Sequence, residues 1–162
     1  MGGPFNKAAY VFATAALTEG NAAPITAAMI GGMIPPLAIA TAMLIFRRKF
    51  TKEQRGSIVP NYVMGLSFIT EGAIPFAAAD PLRVIPSMMV GSGVAGAIAL
   101  GLGSSIKAPY GGIFVIVGTD FNHILQTLIA LVVGTLVSAL IYGFLKPKVT
   151  DNEIQASQAM DE

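Results

Sequence analysis

The stretch FITEGAIPFAAADPLRVIPS, Phe68 to Ser87, sets an acidic side chain, Glu71, inside an apolar run. It then places Asp80 and Arg83 close by and interrupts itself with prolines at 75, 81 and 86. A carboxylate near the centre of a bilayer costs about 2.5–3.5 kcal/mol on insertion scales, so ionisable groups there default to a functional reading. The chain around it reads as a membrane protein. Of its 162 residues 54% are hydrophobic, only 12% are charged, and the mean hydropathy is +0.68. A soluble domain carries roughly a quarter charged residues and needs them to cover its surface.

Other classes fall away on composition. The net charge of +1 gives no basic field for nucleic acid. The absence of Cys removes disulfides, thiolate metal sites and cysteine nucleophiles, and a single His, His123, rules out a histidine metal cluster within one chain. No metal or other cofactor is expected. MGGPFNKAAY lacks the order of basic, apolar and cleavage regions that marks a signal peptide. No GK[ST] phosphate loop is present, so ATP-driven transport has no support in this chain.

Outward from Glu71, two uncharged segments of 22 residues stand out, Ile25–Phe46 and Ile124–Leu145. At about 1.5 Å per residue each crosses a hydrocarbon core of roughly 30 Å. The first contains Gly31-Gly32 and Pro35-Pro36, which predicts a kink or a break. It ends in Arg47, Arg48, Lys49, Lys52 and Arg55, a cytoplasmic signature, and Lys146 and Lys148 put the end of the second on the same side. An even number of crossings must lie between these two ends. Leu82–Leu102 reads as a further span, with Gly91, Gly93, Gly96 and Gly101 as a small-residue packing face. With Ile124–Leu145 it satisfies the parity, although four crossings would as well. Val59–Ala79 and Ser104–Gly118, the latter holding APYGG, read as broken helices or re-entrant hairpins, whose irregular backbone needs protein or a wet cavity around it. Ala8–Leu17 is too short to span. The expected fold class is therefore all-α: a polytopic membrane protein with transmembrane helices, broken helices and re-entrant hairpins. Residues 149–162 read as a disordered cytoplasmic tail behind a membrane domain of residues 1–148.

Each polar residue has a plain and a functional reading. Glu71 either pairs with Arg83 or Lys107, or faces a ligand in an occluded pocket, where Thr70 and Gly72 flank it and Gly72 and Pro75 open the backbone. A carboxylate accepts charge-assisted bonds from sugar hydroxyls and can act as a general base, but a proton or Na⁺ suits it equally well. Asp80 before Pro81 reads as a helix N-cap, and Arg83 either pairs with it or forks a phosphate. Asn6 and Lys7 either cap and snorkel at a helix start or reach a polar ligand, and Glu19 and Asn21 before Pro24 share that ambiguity. LTEGNAAP (17–24) and ITEGAIP (69–75) share a TEG triplet, a short match for which coincidence is the favoured explanation. His123, just before the last span, reads as an interfacial residue.

ITEGAIPFAAADPLRVIPS, with GGPFNKAAY before it and APYGGIFV after it, resembles the fructose-type membrane subunit, enzyme IIC, of the bacterial phosphoenolpyruvate-dependent sugar phosphotransferase system. The resemblance is dense over residues 2 to 118. It implies a bacterial inner-membrane subunit with a cytoplasmic C-terminus that binds fructose, or a related sugar, and moves it inward. A partner IIB domain would supply a phosphoryl group from a phosphocysteine, and the family works as a dimer. It places Glu71 at the sugar site and links Asn6 and Lys7 to the transport core. The family domain is longer, with spans upstream of GGPxNKAAY, so the sequence is expected to be a C-terminal portion: a split gene, a truncated reading frame or a fragment. The lack of Cys means that the phosphoryl donor sits on another chain or domain. Two other readings stand beside this one: an ion-coupled secondary transporter with Glu71 as its proton site, and a non-catalytic remnant that only dimerises.

Overall fold

The computed structural model describes residues 4–106, 111–117 and 121–147. The expected tail 149–162, Lys107 and most of APYGG lie outside the described residues, as does Lys148. Among the described residues every regular element is helical: α1 (Pro4–Thr18), α2 (Ala23–Ile45), a 3₁₀ turn (Arg47–Lys49), α3 (Lys52–Gly56), α4 (Ile58–Leu66), a second 3₁₀ turn (Thr70–Ala73), α5 (Ile74–Ala79), α6 (Pro81–Gly101), α7 (Ile113–Val117) and α8 (Phe121–Leu145). Three of them, α2, α6 and α8, are long and apolar enough to cross a membrane. The fold is that of an all-α polytopic membrane protein.

Helix α2 is the centre, with Ile25, Met29, Ile30, Met33, Ile34, Ile39 and Met43 fully buried. It starts where Asn21 Oδ1 accepts the Ala23 N–H at 3.1 Å and tolerates Pro24 in its first turn, where the missing donor would be an orphan anyway. Of the kink or break expected at Pro35-Pro36, the break does not occur: the helix runs unbroken through both. Its neighbour explains how. Pro35 has no N–H to give the Gly31 carbonyl, four residues earlier, and the Ser92 hydroxyl of α6 donates to that oxygen instead at 2.8 Å. Gly31 and Gly32 occupy the two positions that the proline rings crowd, where a pliable backbone is an advantage.

The other helices take their directions from small-residue contacts. Helix α6 runs antiparallel to α8: Ser138 Oγ donates to the Ser87 carbonyl at 2.9 Å, Gly91 lies against Gly134 and Ser138, and farther along Ser104 and Thr127 share a 2.8 Å hydroxyl bond. It is antiparallel to α2 as well, since Gly31 meets Ser92, Ala27 meets Gly96, and Thr26 Oγ1 accepts the Ile106 N–H at 2.9 Å. Of the four glycines expected to form one packing face, Gly91 and Gly96 serve two different neighbours, while Gly93 and Gly101 face open space. A helix gripped from two sides spreads its small residues round its circumference, so a single stripe does not suffice.

The ends of α2 and α8 come together. Lys49 Nζ donates to the Gly143 carbonyl at 2.7 Å, where it also complements the negative end of α8. Phe46 meets Phe144, Phe50 meets Tyr142, and the Lys146 ammonium lies 5.0 Å from the Phe50 ring centroid. Lys146 therefore shares one end of the bundle with the basic residues that follow α2, as the charge pattern predicts. From this basic end α4 climbs back along α2, with Tyr62 bonded to Thr41 at 2.9 Å, Gly65 against Leu37 and the Phe68 ring against Gly32. It stops near the middle of α2. The chain then returns through the second 3₁₀ turn and α5 to Asp80, where α6 begins. Val59–Ala79 is thus a re-entrant hairpin, as its interrupted sequence suggests.

Candidate functional site

The tip of this hairpin is built by a helix stop of unusual composition. Helix α4 ends with Ile69 N–H bonded to the Met64 carbonyl at 2.8 Å and Phe68 N–H to the Gly65 carbonyl at 3.3 Å, the paired bonds of a Schellman turn. The residue at the left-handed position is Phe68, with φ +63°, where glycine is usual. Such a conformation costs a non-glycine residue about 1–2 kcal/mol. The Phe68 ring packs into the space left by Gly32, so closely that a Cβ there would lie 2.6 Å from it. Packing against α2 holds the strained turn in place.

Directly beyond the strain, Thr70, Glu71 and Gly72 form the 3₁₀ turn, with Pro75 in the first turn of α5. Gly72 rests on α4, with Asn61 and Met64 beneath it. From the other side Gly112, at φ +54°, reaches the tip: a Cβ on it would strike the Leu66 carbonyl and the Phe68 nitrogen. Residues 111–117 therefore close on the turn from the segment that joins α6 to α8. Two interrupted segments meet about halfway along α2, the kind of irregular backbone that membrane proteins keep where it lines a site.

The Glu71 carboxylate is exposed on the surface of this chain. The expectation that it is enclosed is not met within these residues: the 3₁₀ turn buries Ala73 and rests Gly72 on α4, and leaves Glu71 at the surface. The plain reading of Glu71 as half of an Arg83 pair also fails. Arg83 bonds Asp80 at 2.9 Å, with α5 between that pair and the turn in the chain, and the Glu71 carboxylate takes no bond from another described residue. Lys107 lies outside the described residues. Asp80 does stand at the N-cap position of α6 ahead of Pro81, but its carboxylate takes Arg83 and no backbone N–H.

The remaining sequence candidates are not gathered at the turn. Asn6 and Lys7 are exposed in the first turns of α1, so Asn6 lies inside the helix and does not cap it. Glu19 and Asn21 sit at the α1–α2 turn, on the order of 13 Å along α2 from Gly32. The two TEG triplets differ in backbone: Thr18-Glu19-Gly20 ends a helix with Gly20 at φ +87°, whereas Thr70-Glu71-Gly72 forms a 3₁₀ turn. His123 falls in the first turn of α8, with Nδ1 3.2 Å from Gln126 Oε1. The described residues hold no group of acidic, His or Cys side chains that could bind a metal.

Sequence reasoning passed over Asn61. It is 1% exposed, beneath Gly72, and its Nδ2 donates to the Ser57 carbonyl at 2.9 Å. The available signal was an amide in the uncharged helix that leads into ITEG.

No family model matches the chain, and no solved structure does. Curated relatives do. The chain is 51% identical over 152 residues to the PTS system fructose-specific EIIB'BC component of Xanthomonas campestris, 93% of this chain and 26% of that protein. It is 51% identical over 151 residues to the fructose-specific EIIABC component of Bacillus subtilis, covering 24% of it. Against the fructose permease IIC component of Bacillus amyloliquefaciens it is 50% identical over 151 residues, 93% of this chain and 49% of the relative. The chain thus spans between a quarter and a half of the length of these relatives.

Proposed function

The chain is homologous to the fructose-type enzyme IIC membrane component over nearly its whole length, and from that premise we propose that it forms part of a phosphotransferase-system permease that binds fructose and translocates it as it is phosphorylated. Residues 1–148 would then be the C-terminal portion of the IIC component, completed by a further N-terminal portion and working as a homodimer in the bacterial inner membrane. The basic end, with Arg47, Arg48, Lys49 and Lys146, faces the cytoplasm by the positive-inside rule, and the C-terminus with it. The apolar side chains exposed on α6 and α8, such as Leu82, Met89, Val132 and Phe144, suit contact with lipid.

The observation that carries this reading is the 3₁₀ turn at the hairpin tip, which holds Glu71 halfway along a membrane-length helix. Left facing lipid there, a carboxylate costs a few kcal/mol. The remainder of the assembled component, or its second copy, would cover it and form the pocket. In that pocket Glu71 accepts hydrogen bonds from sugar hydroxyls, with Thr70 and the Gly72 backbone beside it. Asn6, Lys7, Glu19, Asn21 and Arg83 would reach the sugar, or the incoming phosphoryl group, only from outside this turn.

The chemistry follows from the carboxylate. The sugar hydroxyl oxygen attacks phosphorus on the IIB cysteine, the P–S bond breaks, and the thiolate leaves. The hydroxyl proton passes to Glu71 as general base. The names of the relatives, which join B and A modules to C, fit a IIB domain as the donor. The test is Glu71→Gln in the assembled component, this chain together with the rest of the permease. Fructose binding should fall at least 100-fold, and phosphoenolpyruvate-dependent appearance of phosphorylated fructose should stop. Binding retained at the original strength would remove Glu71 from the site.

A further inference from the structure

Asn61 Oδ1 is buried and has no hydrogen-bond partner among the described residues. The orientation of the amide is fixed by chemistry, since only the NH₂ group can donate to the Ser57 carbonyl 2.9 Å away. The oxygen must therefore point the other way, toward Gly72. There it meets neither an N–H nor a hydroxyl. A Cβ on Gly72 would lie 2.5 Å from Oδ1, so what faces the oxygen is the Cα hydrogen of a residue that has to be glycine.

An unpaired buried acceptor is destabilising, and natural structures keep few of them. This one stands directly beneath the turn that presents Glu71. Two effects follow for that turn. The close fit of Gly72 on the amide fixes its height above α4. The unshared lone pairs also repel a carboxylate that folds inward, which leaves the open side as the direction for Glu71.

Resting on the reading of Glu71 above, we propose that Asn61 is a positioning residue of the sugar site: its buried amide oxygen seats Gly72 and thereby sets where the Glu71 carboxylate stands. A merely structural asparagine and a positioning one respond oppositely to Asn61→Leu, which keeps the volume and removes the orphan acceptor. The experiment measures fructose affinity by titration calorimetry and the thermal midpoint of the assembled component, for wild type, Asn61→Leu and Glu71→Gln. The expected result is affinity for fructose reduced 10-fold or more by Asn61→Leu, with the midpoint unchanged or raised. Unchanged affinity in Asn61→Leu overturns the proposal, and if Glu71→Gln abolishes binding in the same series, the reading of the site stands without it. A midpoint that falls in step with affinity also overturns it, because Asn61 then serves the fold alone. If Glu71→Gln binds fructose normally, both readings fall together. Should Asn61→Leu not fold, Asn61→Met, which adapts to irregular space, is read by the same criteria.

Discussion

Replacing Ser92 by Ala tests how α2 passes through two prolines unbroken. The Gly31 carbonyl has lost its helical donor to Pro35 and takes the Ser92 hydroxyl at 2.8 Å. Removing the hydroxyl adds no clash, since the Ser92 Cβ already sits 3.6 Å from where a Gly31 Cβ would be. What is lost is one interhelical hydrogen bond, and what remains is a half-buried acceptor with no donor. A buried unsatisfied group costs about 1–3 kcal/mol. Interhelical bonds in a membrane protein average about 0.6 kcal/mol and reach about 1.7. The expected loss is therefore about 1–2 kcal/mol. It should depend on Pro35. In a Pro35→Ala background the restored N–H satisfies Gly31, and Ser92→Ala should then cost less than about 0.5 kcal/mol. The four proteins are compared by SDS-induced unfolding in mixed micelles, followed by circular dichroism. A coupling of about 1 kcal/mol is expected. If Ser92→Ala costs the same in both backgrounds, the hydroxyl is not standing in for the missing backbone donor.

Two further pairs of substitutions can be read by the same unfolding assay. Gly134→Ala would put a Cβ 2.5 Å from the Ala95 Cβ and 2.8 Å from the Gly91 carbonyl, so α6 and α8 must part, at about 1–3 kcal/mol. Gly93→Ala meets nothing within 4 Å and should be neutral or stabilising by up to about 1 kcal/mol; equal losses for the two would show that the crossing is looser than described. At the hairpin tip, Phe68→Ala gives up the ring packing yet keeps the strained φ of +63°, whereas Phe68→Gly gives up the ring and relieves the strain. The glycine variant should therefore be the more stable of the two by about 1 kcal/mol, and the reverse order would place the strain elsewhere.

The sequence by itself determined the class and much of the layout. Runs of uncharged residues long enough to cross a bilayer, with arginines and lysines at their ends, leave little freedom: backbone groups at membrane depth must be satisfied inside helices, and charge clusters stay at the ends. The three long helices, the shared basic end and the interrupted hairpin at ITEG all follow from that constraint, and the resemblance to the fructose-type enzyme IIC subunit was legible in ITEGAIPFAAADPLRVIPS with GGPFNKAAY and APYGGIFV. The tertiary structure decided what local rules could not. Pro35-Pro36 predicts a kink or a break from α2 considered alone, and it takes another helix to supply, through the Ser92 hydroxyl, the donor that Pro35 withholds from Gly31. Four glycines in α6 look equivalent in sequence, yet α2 and α8 claim one each and leave two outside. Asn61 passes for an ordinary polar residue until the fold lays Gly72 over its amide. In each case the deciding group lies far along the chain or in another element, and a side chain's role depends on which donor, acceptor or surface is brought against it.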